Sequence, residues 1–138
     1  MKKLFFITLG LITLISCENN HGIVKYDDPK TDAIRTVFEY VSKEDNSYLE
    51  DVFSKEMFMV NPVNDTIYYE DFLAGIENMY DLFDDIAFDT GDGDATADEV
   101  ETNYYENGMV WTQIWSSFEA TGKYTKEKVS FPFHIAYR

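Results

Sequence analysis

ENGMVWTQIWSSFEATGK (residues 106–123) and VSFPFHIAYR (129–138) decide the fold, because together they read as two long antiparallel strands. Asn107-Gly108 is the strongest short hairpin signal. It joins a strand over Val100–Tyr105 to a longer one over Met109–Ala120. Thr121-Gly122-Lys123 marks a turn or bulge before a last strand over Val129–Tyr137. Strand side chains alternate between faces. Trp111, Gln113, Trp115, Ser117 and Glu119 therefore share one face, and Val110, Thr112, Ile114, Ser116 and Phe118 the other. On the last strand His134 lies with Ser130, Pro132 and Ala136, opposite Val129, Phe131, Phe133, Ile135 and Tyr137.

Upstream the period changes from strand to helix. Asp28-Pro29 is a helix start, with an N-cap carboxylate and a proline at the first helical position. Ile34, Val37, Phe38 and Val41 carry that amphipathic helix to about Lys43. Ser47-Tyr48-Leu49-Glu50 reads as a capping box opening a short helix with Leu49, Val52 and Phe53 on one side. Met57–Val60 and Thr66–Tyr69, separated by Asn61-Pro62-Val63-Asn64-Asp65, predict a small hairpin. Glu70 and Asp71 suit the positive end of a third helix whose apolar stripe runs Phe72, Leu73, Ile76, Met79, Tyr80 and Phe83. Helices first and a strand meander afterwards is an α+β order, with the helices on one face of a curved antiparallel sheet.

The N-terminus reads separately. Lys2 and Lys3 precede an apolar run from Leu4 to Ile15, too short for a membrane span, which needs about 20 residues. Leu14-Ile15-Ser16-Cys17 resembles the lipobox of bacterial lipoproteins. The resemblance implies that residues 1–16 are a cleaved signal peptide and that lipidated Cys17 anchors the chain to a bacterial membrane, facing an extracytoplasmic space. Cys17 is the one cysteine, so no second thiol remains for a disulfide. Residues 17–28 read as a polar tether reaching up to roughly 40 Å to Pro29. Losing Lys2 and Lys3 and no acid takes the formal charge from −15 to −17. That acidity excludes nucleic acid as a partner, since phosphates demand a basic surface.

Residues 29–138 resemble the nuclear transport factor 2-like, or SnoaL-like, family. The likeness rests on the helix bearing Phe38, the Tyr48–Phe53 helix, the Met57–Tyr69 hairpin, the third helix and the two segments quoted first. It implies a cystatin-like cone with a pocket between helices and sheet. Relatives of this kind usually carry one more strand after the last one here, so the resemblance implies a C-terminal truncation at Arg138. Some are ketosteroid isomerases, cyclases or dehydratases; many bind or assemble without catalysis, and such domains often dimerise through the sheet.

No spacing picks out the carboxylate base and opposed donors that a ketosteroid isomerase needs. His134, the single histidine of residues 29–138, is the candidate acid or base of an isomerase, cyclase or hydrolase. A surface or hydrogen-bonded structural histidine is the favoured reading of the two. Trp111, Gln113 and Trp115 are candidate ligand-binding residues, since aromatic walls with few polar groups make pockets. Core packing or a sheet-face dimer contact explains the indoles as well, and Tyr105 could stack on a flat ligand or a sugar. Asp92, Asp94 and Thr96 imitate the start of a calcium loop, but Ala97 and Asn103 stand where glycine and glutamate are required. The expectation is a solvated acidic loop, with no metal and no cofactor. The sequence thus predicts an envelope lipoprotein that binds a small ligand or a partner protein. A His134-dependent enzyme and a structural dimer are its alternatives.

Overall fold

The computed structural model describes residues 22–89 and 99–138. The expected signal segment, Cys17, His21 and most of the acidic run, including Asp92, Asp94 and Thr96, lie outside the described residues. Among the described residues, three helices and an antiparallel sheet give an α+β architecture. In chain order the elements are β1 (Ile23–Lys25), α1 (Pro29–Ser42), α2 (Leu49–Val52), β2 (Phe58–Val60), β3 (Thr66–Tyr68), α3 (Tyr69–Leu82), β4 (Phe83–Phe88), β5 (Glu99–Tyr104), β6 (Val110–Gly122) and β7 (Lys128–Tyr137).

β6 is the spine. One edge pairs with β5 over its first half and with β4 over its second, and β7 runs along its other edge. β1 pairs with β5 in the register Ile23 to Tyr104, so residues expected in the tether belong to the sheet. Pro132, which has no N–H to give a neighbour, sits in β7 opposite Ser117, and prolines within sheets are confined to such edge strands. The β4–β6 register slips between Asp84 and Ala87, where Asp85 takes a left-handed φ of 56°. β2 and β3 form a separate two-stranded hairpin.

α1 begins as expected, although the partner in its capping box is a threonine. The Lys30 N–H donates to Asp28 Oδ1 at 3.0 Å, and the Asp28 N–H donates to Thr31 Oγ1 at 3.1 Å. The expected Ser47 cap of α2 does not form. Ser47 instead donates its N–H to Asp45 Oδ1 at 2.8 Å in a local turn, and Tyr48 takes the cap position without a side-chain bond. Phe83, expected on the α3 stripe, already belongs to β4.

α1 ends in a Schellman arrangement: Glu44 N–H bonds Val41 O at 3.0 Å and Asp45 N–H bonds Tyr40 O at 3.0 Å. Glu44 holds the left-handed position at φ 57°, where a side chain is strained and glycine is not. Glu44→Gly is therefore expected to raise stability by about 1 kcal/mol. An increased urea midpoint at unchanged slope would show it.

The inner sheet face carries the core. Ile34 and Phe38 of α1 pack on Val100 and Ile114, Val37 and Val41 on Leu49, and Ile86 with Phe118 and Ala120. Phe38 lies 4.8 Å from the Phe88 ring and 5.7 Å from Phe133, and Phe53 stacks on Tyr137 at 5.7 Å. Thr102 and Thr112 satisfy each other within this layer at 3.0 Å.

Asp28 ties the helix layer to β5, because the Tyr104 hydroxyl donates to its Oδ2 at 2.8 Å. The Lys30 N–H and that hydroxyl hold the Asp28 carboxyl below the usual carboxylate range, against the opposing effect of burial. A depressed folded value contributes stability above the unfolded pKa of about 3.9 and loses it as pH falls through the folded one. Asp28→Ala should accordingly cost about 1–2 kcal/mol at neutral pH. In urea titrations repeated down the acid range, the gap to wild type should narrow below the ordinary carboxylate pKa.

Candidate functional site

β6 alternates as its sequence requires. Thr112, Ile114, Ser116, Phe118 and Ala120 are buried under the helices, so Trp111, Gln113, Trp115, Ser117 and Glu119 face the other way. The small inner residues Thr112 and Ser116 leave room for the rings that α1 and β7 bring against this face. Their hydroxyls are accounted for, Thr112 with Thr102 and Ser116 with the Asp89 carbonyl.

On the outer face three of the expected site residues meet. His134 is the cross-strand partner of Trp115, and their rings stack with centroids 4.6 Å apart and an interplanar angle of 16°. His134 Nε2 lies 3.2 Å from Gln113 Oε1. This amide oxygen only accepts, so the imidazole donates from Nε2. Trp115 remains 36% exposed, so one indole surface is open to a partner. Trp111 stands apart from this group, beneath the guanidinium of Arg138 at 6.0 Å. Ala136 is the cross-strand partner of Gln113, between His134 and Arg138 on the same face.

The β5 side of the same face is polar and acidic. Register places Glu101 beside Gln113 and Asn103 beside Trp111. Asn103 Nδ2 donates to Glu101 Oε1 at 2.7 Å. The Glu101 carboxylate beside Tyr26 pushes that phenol above its ordinary range. The face thus grades from carboxylate on β5, through indoles and an amide on β6, to imidazole and guanidinium on β7.

The pocket expected between helices and sheet is not where these residues point. His134, Trp111 and Trp115 look away from α1, and the partner of His134 is a neutral amide rather than a carboxylate. Tyr105 lies in the β5–β6 turn, where its backbone N–H bonds Met109 O at 2.9 Å, and among the described residues no ring contact joins it to the indoles. No three His, Cys, Asp or Glu side chains gather as a metal-ligand set among the described residues.

Sequence reasoning missed two polar features. Arg35 of α1 donates to Glu99 Oε1 at 2.7 Å and to the carbonyls of Tyr26 at 3.2 Å and Val100 at 3.3 Å. Glu99 Oε2 is buried with no hydrogen-bond partner among the described residues. The second is Tyr137, whose phenol burial pushes upward among the inner-face rings. A lone arginine amid the α1 apolar positions was the available hint for the first; alternation alone carried no hint of the second. A scan against protein-family models and searches of curated proteins and of solved structures found no match to this chain.

Proposed function

We propose that this chain is an envelope lipoprotein whose domain, of the nuclear transport factor 2-like cone type, is a non-catalytic binding module. Its working surface is the outer face of β5, β6 and β7, and its first partner is a protein surface, a second copy being the simplest. The observation that carries this reading is the direction of the strip: Gln113, Trp115 and His134 converge on the face away from the helices. The opposite face is occupied by Phe38, Phe88, Phe118 and Phe133 in mutual ring contact, where a catalytic pocket would need open space. The charge gradient from Glu101 to Arg138 is self-complementary when two such faces meet about a two-fold axis.

Native mass spectrometry of the mature soluble domain separates the readings. A dimer without retained small molecule is the expected result. A monomer carrying a small molecule would instead restore the pocket, and with it the enzyme alternative built on His134.

A further inference from the structure

We propose that one end of the sheet, made by Gly22–Val24 and the Tyr105–Met109 turn, rests on the membrane that holds the acylated Cys17. The inference rests on the lipoprotein reading above and adds an orientation to it: the domain stands end-on, with β6 running away from the bilayer.

Chain length carries the first step. Because β1 starts at Ile23, only five Cα–Cα steps separate Cys17 from Gly22, a reach of at most about 18 Å. Gly22 is also pinned. A Cβ there would stand 2.6 Å from the Tyr104 carbonyl oxygen, and the next residue, Ile23, is in register with Tyr104. The chain therefore leaves the sheet at the level of the β5–β6 turn and is held there by the β1–β5 ladder.

Surface chemistry at that end fits a lipid interface. Ile23, Val24 and Tyr105 are 63%, 45% and 43% exposed. Three of the cations of an acidic chain gather beside them. Lys25 and Lys30 lie 4.9 and 5.6 Å from the Tyr104 ring, and Arg138 sits over Trp111. Lys25 is also 3.9 Å from Asp28, and Glu106 is the acid of the turn. Aliphatic side chains beside tyrosine, tryptophan and cations match the headgroup layer of a bilayer.

Distance decides against the competing end. Tyr124 is more exposed, and Lys123, Lys126 and Lys128 surround it in sequence. Yet Val110 is level with Tyr104 and Ile23, and Gly122 is twelve strand residues further on, roughly 40 Å away. The tether spans less than half of that. The β2–β3 hairpin exposes Phe58, Val60 and Tyr68, so it enters the test as a third position.

The test uses the full chain, expressed in a lipidating bacterium and reconstituted into phosphatidylcholine vesicles with and without phosphatidylglycerol. Acylation of Cys17 leaves a thiol introduced by Glu106→Cys, Tyr124→Cys or Val63→Cys as the reactive one for a fluorophore. Nitroxide-headgroup lipid is expected to quench the Glu106 position several-fold more than the other two. Equal quenching, or the strongest quenching at Tyr124 or Val63, on a chain that still floats with the vesicles overturns the orientation alone. A chain that fails to float and whose Cys17 takes the dye overturns the lipoprotein reading and the orientation with it. Matching circular dichroism spectra confirm that these exposed replacements leave the fold intact.

Discussion

Arg35→Ala is expected to lower the unfolding free energy by about 3–5 kcal/mol, the usual cost of leaving one charge of a buried pair uncompensated. The Glu99 side chain is 5% exposed against 22% for Arg35, so the carboxylate is the charge that would be stranded. Its Oε1 also accepts the Val100 N–H at 3.2 Å, while Oε2 has no bond to fall back on among the described residues. The guanidinium in addition closes the Tyr26 and Val100 carbonyls, tying α1 to the end of β1 and the start of β5. Glu99→Gln should cost less, because it removes the buried charge and leaves an arginine that already has two carbonyl acceptors. Urea titrations of both variants check the order. A loss under about 1 kcal/mol for Arg35→Ala would mean that the pair behaves as a surface ion pair.

Phe38→Ala is expected to cost about 3–5 kcal/mol, through lost transfer energy and the cavity left where the ring met Phe88 and Phe133. It also tests whether the interior is filled. An apolar cavity of this origin stays dry and accepts a small aromatic molecule. Benzene should therefore raise the melting temperature of Phe38→Ala and leave wild type unchanged. Comparable stabilisation of wild type would reveal space beneath α1 that the ring contacts argue against.

Long amphipathic stretches made most of the fold legible from sequence. Ile34, Val37, Phe38 and Val41 announce α1, and the parity of β6 and β7 assigns every side chain to its observed face. What parity cannot supply is which face meets the helices. Both faces of β6 carry apolar residues, and the larger ones, Trp111 and Trp115, proved to lie outside because the inner layer needs small residues opposite Phe38 and Phe133. β1 escaped notice because three residues are too few to show a period, and its stability comes from pairing with residues about 80 positions later. Ser47 misled for a local reason: the Asp45 carboxylate holds the Ser47 N–H that a capping box would give to Glu50. The Arg35–Glu99 pair spans 64 residues, a distance at which sequence carries no pairing signal. In the candidate site, the meeting of Gln113, Trp115 and His134 was foreseeable once the hairpin register was known. Arg138 over Trp111 follows from the same register.

The outer face of the sheet is the claim on which the functional account stands, and Trp115 is its exposed centre. Sedimentation velocity of the mature domain across a wide concentration range tests it most directly, with Trp115→Glu and Val63→Glu compared against wild type. Wild type and Val63→Glu should dimerise with rising concentration, while Trp115→Glu stays monomeric with unchanged circular dichroism. A dimer that survives Trp115→Glu, or a wild type that never associates, would contradict it.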